Sequence, residues 1–158
     1  MTDHIQIRPA ETTDEAAIIA LLPQLADFEV PENRNPDDLW QGDADMVSAV
    51  LAGSKPETFL EVAVADDKLM GVIMVTMREE LMSHAPSAHL EAIVVHPDAR
   101  GQRLGQRLLE RSEEAARERG ATSLSLHVFS NNHRARGLYR ANGFDEELIR
   151  ATKWFSDE

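Results

Sequence analysis

The chain has 158 residues, 42% of them hydrophobic, and carries a formal charge of -12 from 16 Lys and Arg against 28 Asp and Glu. That length suits one domain around a single core, the composition is neither that of a disordered chain nor that of a membrane protein, and the acidic balance argues against nucleic acid or an anionic membrane as partner. No cysteine is present, which excludes disulfides, thiolate metal sites and a cysteine nucleophile within this chain.

The opening residues MTDHIQIRPAETTDE lack the basic flank and apolar stretch of a secretory signal, and no apolar run approaches the ~20 residues of a bilayer span, so a cytoplasmic location is expected. HIQIRP alternates as a short strand that stops at Pro9. Thr12 with Glu15 reads as a capping box, opening a helix whose apolar stripe runs through Ala17, Ile18, Leu21, Leu22, Leu25 and Phe28, with Pro23 set to kink or split it. Residues 29–42, EVPENRNPDDLWQG, have loop composition around a buried-type Trp40, and DADMVSAVLAG gives a short helix ended by Gly53. TFLEVAVA and LMGVIMVTMR are two strands that Asp66 to Lys68 join into a hairpin, with the Leu and Met positions from 69 to 77 in the core. AHLEAIVV is a further strand, the helix after it runs to about Arg119 and ends at Gly120, and TSLSLHVF is another strand. NHRARGLYRAN is a helix stopped by Gly143, and ELIRATKWF is a last strand. With no repeat or linker in the series, residues 1–158 read as one domain.

The junction VVHPDARGQRLGQRLL carries the chemistry. A strand hands over to a helix through Arg100, Gly101, Arg103 and Gly105. Unpaired N–H groups and partial positive charge at a helix start, fed by a glycine-containing loop, make an anion site, and the two arginines suit a phosphate. The plainer alternative is a strand-to-helix turn with solvated arginines. The spacing is neither that of a Walker A loop nor the G-x-G-x-x-G of a dinucleotide fold. His84, His89, His96 with Asp98, and His127 repeat no recognised ligand spacing, so no metal is expected.

LEAIVVHPDARGQRLGQRLLE resembles the acetyl-CoA-binding segment of the GNAT superfamily of N-acetyltransferases, whose strand ends in V-x-P and whose loop reads [QR]-x-x-G-x-[GA]. Here that loop is Arg100, Gly101, Gln102, Arg103, Leu104 and Gly105, with Arg103 where the family usually has Gly. A second block, NNHRARGLYRANGF, is similar to the family's N-x-x-A-x-x-x-Y-x-x-x-G-F and matches at Asn132, Ala135, Tyr139, Gly143 and Phe144. The resemblance implies a mixed α/β fold: a twisted, mostly antiparallel central sheet of six to seven strands with helices on both faces. It implies acetyl-CoA as cosubstrate, its pyrophosphate on the amides of residues 101 to 106, from Gly101 to Gln106, its pantetheine along the backbone of Ile93, Val94 and Val95, and Asn132 and Tyr139 lining it.

Acetyl transfer to an amine needs a proton taken from the amine and one returned to the departing thiolate. Glu91 is the candidate base: the strand period of two puts it on one face with His89, Ile93 and Val95, and several family members carry Glu at this position. Its alternative is a strand Glu paired with an arginine. Tyr139 is the candidate acid, on one helix face with Asn132 and Ala135; its alternative is a tyrosine that only buries its ring. The function expected is acetyl transfer to a primary amine of a small, cationic molecule or a peptide by direct attack, since no cysteine can carry the acyl group. The rival expectation is a catalytically silent CoA-binding regulatory domain. A homodimer is common in the family.

Overall fold

The computed structural model describes residues 4–157. Five strands, β1 (Gln6–Pro9), β2 (Thr58–Ala65), β3 (Lys68–Glu79), β4 (Pro86–Val95) and β5 (Leu124–Leu126), lie side by side in chain order. The first four pair antiparallel and β5 joins β4 in parallel. A parallel neighbour needs a crossover of a dozen or more residues, which here is α3 (Leu104–Glu118). Three further helices, α1 (Glu15–Leu21), α2 (Gln41–Leu51) and α4 (His133–Ala141), complete the mixed α/β architecture the sequence implies.

The sheet has an apolar layer on each face. On one side Ile73, Val75 and Leu90 meet Leu104 and Leu108 of α3. On the other Val62, Val72 and Met74 meet Ile18 of α1, Leu22 just beyond the end of α1, and Val47 of α2. Each such side chain, once buried, contributes about 1.5–3 kcal/mol. α3 lies so close to the sheet that a Cβ on Gly71 would sit 2.8 Å from Leu108 Cδ1 and 3.1 Å from the Val94 carbonyl oxygen. Arg111 reaches down from α3 to Glu61 on β2, its Nε 2.7 Å from Oε1. Asp66 and Asp67 both take positive φ, 50° and 64°, the mirror-image turn that fits the twist of a hairpin.

The structure corrects three sequence expectations. The capping box sits one residue before Thr12 and Glu15: Asp14 Oδ2 accepts from the Glu11 N–H at 2.7 Å, because Asp14 is also held by Arg8 across a 2.8 Å ion pair. TSLSLHVF shortens to the three residues of β5. ELIRATKWF forms no strand, so the described residues hold five strands where six to seven were expected. A strand requires an edge to pair with as well as the right side chains, and residues 147–155 meet none among the described residues. Ile149 and Phe155 are 96% and 87% exposed. The segment is fastened instead by Glu146, which accepts from Arg136 and Arg140, and by Trp154, whose ring lies 4.7 Å from the Arg34 guanidinium.

Candidate active site

β4 is interrupted in its middle. Leu90 pairs with Val75 and Ala92 with Met74, so Glu91 between them has no partner on β3. This is a β-bulge, which adds one residue to a strand and re-aims its side chains. Ala88 and Leu90 face α3 before it, as Ile93 and Val95 do after it, while Ala92 and Val94 face α1 and α2. The shared face expected for His89, Glu91, Ile93 and Val95 is therefore not formed. His89 and Glu91 turn toward the α1 and α2 side, where Thr76 Oγ1 lies 3.4 Å from Glu91 Oε2, and Ile93 and Val95 turn away.

The bulge coincides with the end of the β4–β5 ladder. Pairing runs from Ala88 with Leu124 to Leu90 with Leu126, and no later residue of β4 pairs with β5 among the described residues. The chain leaves β5 toward α4, and a groove opens in the wedge. It is lined by Glu91, Ala92 and Ile93 from β4, Leu126 and His127 from the departing chain, Tyr139 from α4 and Leu25 from the turn after α1. Tyr139 thus lines the same groove as Glu91 and Ile93. Its ring edge packs on Phe144 with centroids 5.9 Å apart, and burial pushes its hydroxyl above the usual phenol range.

At the far end of β4 the chain turns through Pro97–Ala99 into α3. Gly101 has φ 79° and Arg103, directly before the helix, φ 59°. Arg103 thus adopts the left-handed conformation for which glycine is preferred, which explains why Gly is usual at this place in the motif. No side chain caps α3, and the first helical bond runs from the Arg107 N–H to the Arg103 carbonyl. The amides of Leu104, Gly105 and Gln106 accordingly lack helical acceptors. Gly105 is hemmed in: a Cβ there would lie 3.4 Å from Leu138 of α4 and 3.8 Å from Val95. An uncapped helix start at the mouth of a wedge with free strand backbone fits a ligand that combines a pyrophosphate with an extended amide-bearing arm.

Two candidate residues have other partners here. Arg100 is turned to the segment after α1, 2.7 Å from Asp27 Oδ2 and 3.1 Å from Gln24 Oε1, so its charge is partly spent on holding that segment against the loop. Asn132 caps α4, its Oδ1 accepting from the Ala135 N–H at 3.3 Å. The remaining loop side chains also bond locally, Gln102 to the Asp98 carbonyl and Gln106 to Glu110.

The surroundings of Glu91 bring in a histidine that pattern reasoning named as sharing its strand face but gave no role, and an aspartate it did not single out. His89, 4% exposed, lies with Nε2 3.5 Å from Glu91 Oε1. Burial first, then the charges of Arg78 and His127, lower its pKa from 6.5 to about 4. Asp43, in the first turn of α2, is pushed up to about 6 by burial and by the charge of Glu91. A lone Asp in a helix start gives no sequence signal of such a role; only the packing of α2 beside the bulge brings it near.

Residues 21–144 match the model of the acetyltransferase (GNAT) family. The uncharacterized N-acetyltransferase YhfO of Bacillus subtilis is 31% identical over 143 residues, covering 90% of this chain and 91% of its own. The aminoalkylphosphonate N-acetyltransferase of Salmonella typhimurium is 27% identical over 148 residues, 94% of this chain and 90% of its own. In structure the chain is similar to the aminoglycoside N-acetyltransferase AAC(6')-Iy solved in complex with CoA, at a TM-score of 0.71 and 21% identity, over 98% of this chain and 95% of that one. The chain belongs to the GNAT family and is an acetyl-CoA-dependent N-acetyltransferase that acts on amines.

Proposed function

We propose that the protein acetylates a primary amine of a small cationic molecule or a peptide by direct attack, with Glu91 as general base and Tyr139 as general acid. The observation that carries the reading is that both residues line one groove, at the point where β4 parts from β5. Acetyl-CoA supplies an activated thioester. The amides from Gly101 to Gln106 would receive its pyrophosphate, with Arg103 adding charge, and the free backbone of Ile93, Val94 and Val95 its pantetheine arm.

An alkyl ammonium has a pKa near ~10 and must lose a proton before it can attack. Glu91 takes that proton, directly or through one water, and only then does the neutral amine attack; the C–N bond forms, the C–S bond breaks, and the second proton of the attacking nitrogen leaves to solvent. Tyr139 donates its O–H to the departing sulfur, and its raised pKa keeps that proton available at neutral pH. Two features favour a cationic acceptor: the net charge of -12, and the neighbouring carboxylates of Asp43 and Glu91, whose mutual repulsion an ammonium would relieve. Two of the similar proteins are named for small amines, an aminoalkylphosphonate and an aminoglycoside.

Thiol release from acetyl-CoA across a panel of amines, with the parent and Glu91→Gln at pH 7, tests the reading. The variant should lose about 10²-fold or more in kcat, within the range a positioned base supplies, and bind CoA as the parent does. A parent that releases thiol with no amine of the panel, or a variant at parental rate, overturns it.

A further inference from the structure

We propose that His89 is a positioning residue for Glu91: its Nε2–H holds the carboxylate at the mouth of the bulge. The inference rests on the reading of Glu91 as base.

The ring's orientation follows from its partners. Nδ1 lies 2.9 Å from Arg78 Nη2 and 2.8 Å from Ser125 Oγ. A guanidinium only donates, so Nδ1 must be the accepting, unprotonated nitrogen of a neutral ring. The proton is then on Nε2, the nitrogen 3.5 Å from Glu91 Oε1. The ring cannot swing away: it is buried between β3 and β5 and packed against the tilted ring of His127, with centroids 4.7 Å apart. Thr76 approaches the other carboxylate oxygen.

A carboxylate on a bulge has no strand partner opposite to fix its rotamer, and it must point into the groove in one orientation to meet an incoming amine. His89 and Thr76, one on each oxygen, set that orientation from below. Arg78 and Ser125 act one step further back, by fixing which ring nitrogen carries the proton.

Two substitutions separate this role from simple packing. His89→Asn keeps an acceptor near Nδ1 and loses the N–H toward Glu91; His89→Gln keeps an amide N–H near Nε2 and loses the acceptor for Arg78 and Ser125. Positioning requires that Asn lower kcat about tenfold, a part of the ~10²–10⁴ a placed base contributes, with KM for acetyl-CoA within about twofold, and that Gln recover most of the rate even where its melting temperature is the lower of the two. If Asn keeps the rate and Gln loses it, or both fall in proportion to their melting temperatures, His89 is structural and the inference fails. Adding His89→Asn to Glu91→Gln guards against a merely weakened fold: no further loss supports the inference, and an undiminished tenfold loss overturns it. Glu91→Gln alone at parental rate removes the base reading and the inference together, whereas a slow Glu91→Gln beside an unaffected His89→Asn removes only the inference.

Discussion

The two halves of β4 differ in what flanks them. From Pro86 to Leu90 the strand is bonded to β3 on one side and, over its last three residues, to β5 on the other. From Glu91 to Val95 β3 still holds it, but β5 has gone, and the free edge faces a groove and leads to an uncapped helix. A sheet acquires a cleft here by losing one neighbour while the other keeps hold of the strand on both sides of its bulge. Stability and chemistry are thereby laid out one after the other along ten residues, and they meet at the bulge, where His89 of the closed half reaches Glu91 of the open one.

The largest effect expected belongs to the closed half and to pH. A histidine whose folded pKa is about 4 against 6.5 in the unfolded chain binds a proton only after the unfolded state has done so. Its contribution is present above about pH 6.5 and is lost as pH falls toward 4, on the order of 3 kcal/mol in all. Asp43 works the other way: its folded pKa of about 6 lies above the unfolded value, so acidification over the same window favours the fold. Urea unfolding of the parent and His89→Asn at pH 7 and pH 4 isolates the histidine, since Asp43 and the other carboxylates cancel in the difference. The parent should lose about 3 kcal/mol more than the variant; equal losses would show that His89 is not held neutral.

Next comes the open half. Tyr139→Phe should lower kcat about 10²-fold at pH 7, the low end for a general acid, because a thiol of pKa near ~8.5 is already a fair leaving group. Above about pH 9 the thiolate departs without help and the two enzymes should converge. A ratio that stays constant from pH 6.5 to 9.5 with a lowered melting temperature would return Tyr139 to the role of a packed ring.

Val75→Ala, in the fully buried partner of Leu90, should cost about 2 kcal/mol of stability. Turnover of the folded enzyme should stay within about twofold; a larger change in kcat would mean that the halves are coupled through the sheet. The smallest effect is expected far from both, where Trp154→Ala removes a ring from Arg34 and should cost no more than about 1 kcal/mol, with acetyl-CoA affinity unchanged by calorimetry.

The open half was the more legible in the sequence. Loop and helix start announce themselves through residues close together in the chain: Gly101 and Arg103 for the turn, Leu104 and Leu108 for the buried stripe. Tyr139 was singled out by the spacing of a second motif, and it lines the groove beside β4. The bulge at Glu91 left no such trace, because an unpaired residue is defined by its partner strand, and AHLEAIVV reads equally well as regular alternation. Arg100 went to Asp27 and Gln24, and Asp43 came to Glu91, through packing between distant segments. Residues 147–155 have the side chains of a strand, but whether such a segment pairs depends on a free edge elsewhere in the fold.

The bulge also has a consequence for heredity. Remove residue 91 and Leu90 is followed directly by Ala92, so that Ala88, Leu90, Ile93 and Val95 fall on one face in unbroken alternation, with His89, Ala92 and Val94 on the other. These are the faces they already occupy. Elsewhere in a strand with buried faces, the loss of one residue turns every side chain beyond it to the wrong side. At this position an in-frame deletion of a single codon leaves the hydrophobic pattern intact and takes away only the carboxylate and the kink that presents it. On the reading of Glu91 as base, a lineage could thus pass in one mutational step from an acetyltransferase to a folded protein that still carries the uncapped helix start and its glycine-containing loop, and selection on folding alone would not notice the difference.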